Sequence, residues 1–557
     1  MKKLALVLVL VFSFTLLVFA NPSFDIIIKN GQIVDGTGNP WFYGDLGIKD
    51  DTIVEIGDLS GMNASKTIDV KGLVVSPGFI DIHTHSDRGL GKSGTNVNLN
   101  YITQGVTTVV TGNCGGSVSL NAAETKKNWE GQGIGTNAIL FAGHGSIREA
   151  VMGMEGREAT PEEIEKMKKI LYEAMEAGAW GMSTGLEYAP GYYANIEELI
   201  ALSKVVAEFG GMYTSHKRTE REYAPEAIEE MIRIGKEAGL RVNVSHLKRC
   251  GKNYWGTMGE LVKLINDARA EGINITADMY PYNLASIGSL FGYIVFPENM
   301  EPLAELNKKR RDKNLPIEER NKFEESYIEE LKKALSDPSK YALIKEATSK
   351  GTPPNLSYFV IWGWDSFTIV SAKKNTNLIG KIISDLAKEQ KKDPFDIVAD
   401  LFIEEGGDMF LSTGAMSEDD MKLAMMQDWL MFSSDGSAQV YTPGAIVHPR
   451  NYGTFPIVFR KYIREEGVLS LEDAVRMMTS LPASVLQLKN RGLLLEGYKA
   501  DIVIFDPLTI RDNATLLDGQ QYSTGIEYLI VNGKIAIENG KYTGALSGKL
   551  LLLTENK

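Results

Sequence analysis

The sequence predicts an α/β protein built on a (β/α)8 barrel of the TIM type, and three observations lead to this fold. Eight β-rich segments alternate with amphipathic helical segments over the central part of the 557-residue chain. Most of these segments end in polar residues, as strands do when they deliver side chains to the mouth of such a barrel. Both chain ends contain short strands and Asn-Gly or Asp-Gly turns, which indicates one small β-domain assembled from the two ends.

The central strands are predicted from runs of β-forming residues. They end at His83 and in TTVVTGN, AILFAGH, WGMSTG, MYTSH, VNVSH, NITADMY and LMFSSD. Amphipathic helical segments lie between many of them, one of which has Thr160 and Gly178 as start and stop signals. We assign residues 76–485 to the barrel. Residues about 290–364 are too long for a strand-to-helix loop and carry a charged helical pattern, which predicts an insertion between strands 7 and 8.

The two chain ends share one pattern. FDIIIKNGQIVDGTG and the first part of KTIDVKGLVVSPGF lie in residues 21–75, and KADIVIFDP and EYLIVNGKIAIENGKYTG lie in residues 486–557. We expect these two parts to form a small β-sandwich domain.

The first 20 residues resemble a targeting segment. Two lysines precede an apolar run, and the small residues Val18 and Ala20 stand where a signal peptidase cleaves. The run is shorter than the ~18 or more residues of a spanning helix, which favours a cleaved signal peptide at 1–20 over an uncleaved anchor. We therefore expect an exported protein, periplasmic or extracellular.

Charge excludes one class of partner. The net charge is −13 and the pI is about 5.2, whereas nucleic-acid binding needs clustered Lys and Arg. We expect a small-molecule ligand, no nucleic acid, and no membrane contact beyond the export signal. No residue pattern indicates an oligomeric state.

Histidines at the predicted strand ends are the main functional signal. In GFIDIHTHSDRGL, His83 and His85 face one side of a strand because alternate side chains share a side. Five of the six histidines end predicted strands, as do a cysteine and an aspartate: His83, His85, Cys114, His144, His216, His246 and Asp435. In a barrel these ends converge, and imidazole, thiolate and carboxylate are the ligands of zinc.

These residues give the chain a specific resemblance. GFIDIHTHSD, the SSDG aspartate and the split β-domain resemble the amidohydrolase superfamily. Within it, TGNCGGS, STGLEYAPGYYA, YTSHKR, VSHLK, DMYPY and HPRNYGTFP resemble the D-aminoacylase (N-acyl-D-amino-acid deacylase) family, from about Phe24 to beyond Pro507.

The resemblance implies a metal site and a base. A tightly bound Zn²⁺ would be held by Cys114, His216 and His246, and a second, weaker site would use His83, His85 and Asp435. Cys114 stands where many relatives have a carboxylated lysine that bridges two metals. Asp435 would be the general acid and base toward a metal-activated water.

The resemblance also implies a binding site for the substrate's α-carboxylate, formed by Lys248, Tyr280, Ser286 and Arg450. Tyr282 is an alternative to Tyr280, since residues two apart on a strand share a side. Lys217 stands where relatives more often have methionine, so the side-chain pocket is expected to differ.

Three further residues are given structural roles. We expect His144 to make a supporting hydrogen bond, His448 to stabilise the HPR turn, and Cys250 to be a free thiol rather than to pair with Cys114 in a disulfide, because that disulfide would remove the best zinc ligand.

The function expected from these features is zinc-dependent hydrolysis of N-acyl-D-amino acids to a carboxylate and a free D-amino acid. Two alternatives are a cyclic-amide hydrolase of the hydantoinase or dihydropyrimidinase kind on the same fold, and a metal-free binding protein. Cys114 in place of the bridging lysine argues against the first, and retention of Asp435 argues against the second. The preferred side chain, the acyl group and the number of working metals are not indicated by the motifs.

Overall fold

The computed structural model describes residues 24–311, 315–351, 357–414 and 416–556, so the predicted signal peptide at 1–20 lies outside the described residues. Strands and helices alternate along the middle of the chain. The strands, numbered in chain order, are β1 (Phe24–Ile33), β2 (Phe42–Lys49), β3 (Thr52–Gly57), β4 (Ala64–Asp69), β5 (Val74–Pro77), β6 (Phe79–Asp81), β7 (Val106–Thr111), β8 (Asn137–Leu140), β9 (Ala142–Gly143), β10 (Gly181–Gly185), β11 (Met212–His216), β12 (Arg241–Val244), β13 (Ile275–Met279), β14 (Leu284–Ser289), β15 (Phe367–Ser371), β16 (Phe410–Gly414), β17 (Leu430–Phe432), β18 (Ile502–Phe505), β19 (Ile526–Val531), β20 (Lys534–Glu538) and β21 (Lys541–Tyr542).

The helices, also numbered in chain order, are α1 (Asp87–Leu90), α2 (Leu99–Ile102), α3 (Ala122–Gln132), α4 (His144–Met152), α5 (Pro161–Glu176), α6 (Ile196–Glu208), α7 (Ala224–Ala238), α8 (Met258–Ala270), α9 (Leu303–Arg311), α10 (Ile317–Ser336), α11 (Pro338–Lys350), α12 (Tyr358–Trp362), α13 (Ile383–Gln390), α14 (Pro394–Glu405), α15 (Glu418–Met425), α16 (Arg450–Ile457), α17 (Leu471–Met478) and α18 (Ser480–Leu486). The predicted start of α5 is confirmed: Thr160 and Glu163 form a reciprocal capping box. Within the described ranges, no helix is long and apolar enough to cross a membrane.

The eight strands predicted for the centre of the chain are all present, and they pair in parallel. One sheet has the order β6-β7-β8, and another has the order β17-β13-β12-β11-β10-β9. Phe141 alone separates β8 from β9, and Trp180 N, just before β10, donates a hydrogen bond to Leu140 O. After β17, Asp435 N donates to His83 O at 2.9 Å, and Thr84 forms a parallel bridge with Gly436. The carboxyl ends of these strands therefore lie at one edge, next to one another.

The segment between β13 and β17 is larger than the sequence indicated. Its elements begin at β14 and include an antiparallel sheet of order β14-β16-β15, in which Leu284 pairs with Gly414. The predicted insertion of about 290–364 covers only α9 to α12 and omits these strands. The reason is physical: β14 and β16 are distant in the sequence, and their pairing leaves no local pattern of charge or periodicity.

Strands from the two chain ends meet in one sheet. Its order is β21-β20-β19-β18-β5-β1-β2-β3, with β4 also paired to β1, and β18 pairs antiparallel to β5. Within the described residues, the strands of the expected β-sandwich domain are joined by hydrogen bonds into one mixed sheet. The long strand β1 causes this, because its first half pairs with β4 and its end pairs with β5. Fully buried Ile28, Val75, Ile502 and Ile504 belong to its core.

The chain then returns to the central strands. The segment after β21 lies beside β8, where Ala138 N donates to Lys549 O and Leu551 N donates to Ala138 O. The C-terminal residues are therefore packed onto β8, one of the central parallel strands.

Candidate metal centre and binding cavity

The six predicted metal ligands lie at or just beyond the carboxyl ends of five strands. His83 and His85 follow β6, Cys114 follows β7, His216 ends β11, His246 follows β12 and Asp435 follows β17: together they are called the ligand cluster below. Three of them have left-handed backbones, with φ of 53° at Cys114, 36° at His246 and 48° at Asp435. Such conformations are unfavourable for residues with a Cβ, and they concentrate at functional sites.

Cys114 is at the centre of the ligand cluster. Its Sγ lies 3.3 Å from His83 Nε2, 3.7 Å from His246 Nε2 and 3.9 Å from His216 Nδ1. Two overlapping groups of ligand atoms, each within 4.8 Å of one another, share this sulfur: one comprises His83, His85, Cys114 and Asp435, and the other comprises Cys114, His216 and His246. Thiolate and imidazole donors at these separations suit Zn²⁺. These groups have the same membership as the two sites implied by resemblance, with Cys114 added to the second.

Buried carboxylates face the outer nitrogen of three ligand histidines, and one of these contacts, between His216 Nε2 and Glu187, is a hydrogen bond. Glu187 Oε2 lies 2.9 Å from His216 Nε2, Glu220 Oε1 lies 3.0 Å from His246 Nδ1, and Asp278 Oδ1 lies 3.5 Å from His83 Nδ1. An ionised carboxylate only accepts hydrogen bonds, so His216 Nε2, which faces Glu187, carries a proton, and His216 Nδ1 faces the Cys114 sulfur. At His246, Nδ1 also lies 2.9 Å from Lys248 Nζ, so the carboxylate alone does not fix its proton.

We call Glu187, Glu220 and Asp278 the carboxylate layer. Sequence reasoning missed all three as functional residues, although each lies in or next to a quoted motif: STGLEYAPGYYA, YTSHKR and DMYPY. The available signal was a carboxylate beside each predicted ligand strand. This signal is weak because most carboxylates in a sequence are exposed and have no such role. Only the folded chain shows that these three are buried and paired.

The surroundings of Cys114 and Asp435 favour the ionised forms of both side chains. Burial acts to raise the pKa of the Cys114 thiol, but the charge of His83 and hydrogen bonds with the histidines outweigh it and hold the pKa well below its usual value. Burial likewise opposes ionisation of Asp435, but the charge of Arg450 and the hydrogen bond with His85 keep its pKa well below the usual range. The cluster is thus a set of anionic and imidazole donors, as a bound cation requires.

Two cations, the buried Lys248 and the partly buried Arg450, lie beside the ligand cluster. Lys248 Nζ is 3.0 Å from Glu220 Oε1, and Arg450 Nη1 is 2.8 Å from Asp435 Oδ2. Both stand over the ring of Tyr280, at 5.4 and 4.8 Å from its centroid. Three of the four residues predicted to bind a carboxylate are therefore in contact, and together they offer two positive charges in one place.

The remaining predicted binding residues take different positions. Ser286 in β14 lines the same cavity, and its Oγ lies 2.9 Å from Thr413 Oγ1. The alternative tyrosine, Tyr282, packs against His448 and the Gly453 backbone, away from both cations. Lys217 is fully buried and pairs with Glu220 at 3.1 Å, so it supports the carboxylate layer rather than lining the cavity.

The three residues expected to be structural behave as such. His144 Nε2 bonds Glu198, which also pairs with Arg148. His448 accepts a hydrogen bond from Arg450 N through Nδ1, and its Nε2 donates to Leu284 O. Cys250 is a buried free thiol, and Cys114 is free as well. No disulfide removes the sulfur from the ligand cluster.

The ligand cluster opens into a cavity of about 460 Å³, which we call the first cavity. Its opposite side comes from the inserted segment and is built of four aromatic residues, the aromatic wall: Phe291, Tyr293, Tyr358 and Trp362. Cavities of this size with apolar walls and a few convergent polar groups bind small molecules. Among the described residues that line it, Lys248 and Arg450 are the cations.

Known proteins share this architecture. Residues 66–317 and 376–537 match the family described as Amidohydrolase family. D-aminoacylase of Alcaligenes xylosoxydans xylosoxydans is 32% identical over 553 residues, which covers 95% of this chain and 98% of that protein. The chain therefore belongs to the amidohydrolase family and, within it, to the D-aminoacylase family, as the motifs predicted.

Solved structures agree. A D-aminoacylase structure that addresses the role of its binuclear metal center is 30% identical and has a TM-score of 0.72, with 95% of this chain and 100% of that chain covered. N-acyl-D-glutamate deacylase from Bordetella bronchiseptica, complexed with zinc and a phosphonate mimic of the tetrahedral intermediate, is 29% identical with a TM-score of 0.73 and the same coverage. A D-hydantoinase structure is 16% identical with a TM-score of 0.53, covering 94% of this chain and 98% of that one, a likeness of fold alone.

Proposed function

We propose that the protein is a zinc-dependent amide hydrolase that releases a free D-amino acid and a carboxylate from N-acyl-D-amino acids. One observation carries the proposal: the ligand cluster, with Asp435 in it, lies in the same cavity as the paired cations Lys248 and Arg450. A metal bound by this cluster would activate water for amide hydrolysis, and the two cations beside it would bind the free α-carboxylate of the substrate. The relatives named D-aminoacylase and N-acyl-D-glutamate deacylase support the choice of the D series.

The donor set fits zinc. We assign the tightly bound ion to Cys114, His216 and His246, and a second, weaker ion to His83, His85 and Asp435. A zinc ion held there would supply a Lewis acid for the amide carbonyl and would lower the pKa of water. The carboxylate layer keeps the imidazole rings oriented for this purpose.

Asp435 is the proposed general base and acid. Its Oδ1 faces His85 and His83 at 3.1 and 3.5 Å, and its Oδ2 faces Arg450, so it stands between the ligand cluster and the carboxylate site. It accepts a proton from the attacking water as the water oxygen bonds to the acyl carbon. It then returns the proton to the amine as the C–N bond breaks.

Lys248, Tyr280, Ser286 and Arg450 are proposed to hold the α-carboxylate. An arginine can form two parallel hydrogen bonds with a carboxylate, which fixes orientation as well as adding binding energy. Orienting the α-carboxylate in this way positions the neighbouring amide relative to Asp435.

Two wider features remain proposals. We propose that the eight parallel strands close into the (β/α)8 barrel, supported by the Thr84–Gly436 bridge that joins the last strand to the first. We also propose that the protein is exported, on the strength of residues 1–20 alone.

The test is release of free amino acid from paired N-acetyl-D and N-acetyl-L substrates of Met, Leu, Phe, Glu and Asp. Zinc is measured on the same sample, and Asp435→Asn serves as the control. We expect turnover of D forms only and a loss of about 10²–10⁴-fold in the control. Hydantoin and dihydrouracil in the same panel test the alternative: turnover of these with none of the linear amides would overturn the proposal, as would a protein that binds no zinc.

A further inference from the structure

The lining of the first cavity contains more carboxylates than lysines and arginines. Its described residues include two such cations and three carboxylates: Lys248, Arg450, Glu187, Glu220 and Asp435. Each cation already contacts an anion, since Lys248 Nζ lies 3.0 Å from Glu220 Oε1 and Arg450 Nη1 lies 2.8 Å from Asp435 Oδ2. Glu187 is a further carboxylate, buried in the wall. Within the described part of the lining, every lysine and arginine therefore has an anionic partner.

The histidines of the lining are paired as well. Each imidazole faces a carboxylate: His85 Nε2 lies 3.1 Å from Asp435, His216 Nε2 lies 2.9 Å from Glu187 and His246 Nδ1 lies 3.0 Å from Glu220. A zinc ion at the ligand cluster would face the two anionic ligands, Cys114 and Asp435, so its charge would be matched within the cluster.

One carboxylate of the substrate is enough to use the two cations. In the proposed binding mode the α-carboxylate contacts both Lys248 and Arg450, which stand over the same ring of Tyr280, at 5.4 and 4.8 Å from its centroid. A second carboxylate in the first cavity would have to lie beside Glu187 or against the aromatic wall. Carboxylates that lie close together repel each other, and an ionised group that is buried without a partner is strongly disfavoured.

The serines of the lining offer such a group little compensation. Ser286 Oγ lies 2.9 Å from Thr413 Oγ1, and Ser289 Oγ donates a hydrogen bond to Gly407 O. Both hydroxyls are thus engaged within the inserted segment, and both are neutral. An uncharged side chain makes no such demand on the lining.

A second cavity of about 660 Å³ adjoins the first, and its charges lead to the same expectation. The two cavities share five lining residues: Glu187, Tyr188, Gly292, Tyr293 and Tyr358. Among the described residues of the second cavity, Lys308 is the lysine and Glu187 and Glu298 are the carboxylates. Lys308 is exposed, and an exposed cation contributes little to the binding of a carboxylate. A second carboxylate is therefore disfavoured whichever cavity receives the side chain.

We propose that the enzyme is selective for N-acyl-D-amino acids with an uncharged side chain and discriminates against N-acyl-D-glutamate and N-acyl-D-aspartate. This inference rests on the proposed function. Glutamine and glutamate have nearly the same size and shape, so their N-acetyl derivatives differ mainly in charge. The value of kcat/KM should be at least about tenfold higher for N-acetyl-D-glutamine than for N-acetyl-D-glutamate, the lower end of the penalty for a buried charge without a partner.

The experiment measures kcat/KM of the zinc-loaded enzyme on two matched pairs: the N-acetyl derivatives of D-glutamine and D-glutamate, and those of D-asparagine and D-aspartate. N-acetyl-D-methionine is included as an apolar substrate of similar length. The assay is run near pH 7, where both carboxylates of the acidic substrates are ionised. A ratio below about tenfold in either pair, or a preference for the acid, overturns the proposal while leaving D-amidase activity intact. Absence of hydrolysis of all five substrates is the separate failure of the proposed function.

An added lysine tests whether the charge of the cavity causes the preference. Gly292 lines both cavities, and a Cβ there would meet no neighbouring atom within 4 Å, so Gly292→Lys adds a cation without displacing a side chain. The glutamine-to-glutamate ratio should fall at least about twofold, as expected of a partly exposed ion pair. Gly131→Lys is the matched control, because Gly131 of α3 is exposed, has equally open surroundings and lines neither cavity. Equal ratios in the two variants would show that the charge of the cavity does not set the preference, and would overturn the proposal.

Discussion

One wall of the first cavity consists of charged side chains on strand ends, and the opposite wall consists of aromatic side chains from the inserted segment. In the charged wall, the outer nitrogens of His216 and His246 lie 2.9 and 3.0 Å from Glu187 and Glu220, which restricts the orientation of both rings. In the aromatic wall, Tyr293 packs edge-on against Tyr358 with ring centroids 6.0 Å apart, and shape rather than charge defines the surface. The comparison teaches that reaction and selectivity reside on different elements: a change in the charged wall should alter chemistry, and one in the aromatic wall should alter substrate preference.

The largest effect should come from the sulfur shared by both ligand groups. Cys114→Ser removes a soft donor from both, so zinc content should fall to near zero after dialysis and activity should fall by more than ~100-fold, beyond the loss typical of a supporting residue. Cys250→Ala is the matched control, since Cys250 is buried outside the cavity lining and should leave zinc content and turnover intact. Metal analysis and turnover on both variants decide the outcome. Full zinc occupancy in Cys114→Ser would contradict the assignment.

A smaller loss of activity should follow removal of the negative charge of Glu220, which contacts the ligand His246. Glu220 contacts His246, Lys248 and Lys217, so Glu220→Gln should lower zinc affinity and raise KM, with a loss of about 10–100-fold in kcat/KM. Glu198→Gln is matched in burial, but its partners His144 and Arg148 lie outside the cavity lining. It should destabilise the fold by about 3–5 kcal/mol with KM unchanged. Equal effects of the two variants on KM would show that Glu220 has only a structural role.

Lys217→Met should have a milder effect. It removes one of the two lysines that keep the pKa of Glu220 well below its usual value against the effect of burial. Lys248 and His246 remain, so activity should fall by less than about tenfold and the protein should lose about 1–3 kcal/mol of stability. Turnover and thermal unfolding of the zinc-loaded variant measure both. A loss as large as that of Glu220→Gln would mean that Lys217 itself contacts the substrate.

The smallest effect concerns the chemical reactivity of the buried thiol of Cys250. Burial raises the pKa of the Cys250 thiol to about 12, so only about one part in 10⁴ is thiolate at pH 8. Ellman's reagent at pH 8 should label no thiol in the zinc-loaded protein, one after chelation and two after unfolding. Labelling of Cys250 in the folded protein, identified by peptide mapping, would contradict the packing described for it.

The sequence predicted the charged wall better than the aromatic wall. His83, Cys114, His216, His246 and Asp435 could be found because strand ends have a local pattern and metal ligands are few chemical types. The carboxylate layer escaped because a buried Glu220 resembles a solvated one until its partners are known. The extent of the inserted segment escaped because β14 and β16 recognise each other across a long stretch of chain.

The small sheet built from both chain ends has a consequence for how the protein matures. β5 obtains its neighbour β18 only after nearly the whole polypeptide has been synthesised, and the residues after β21 seal β8 last of all. Contacts between such distant segments slow folding, because a very large loop must close before they form. The architecture thus delays completion of the fold until synthesis is nearly finished, a delay that is compatible with the export proposed from residues 1–20.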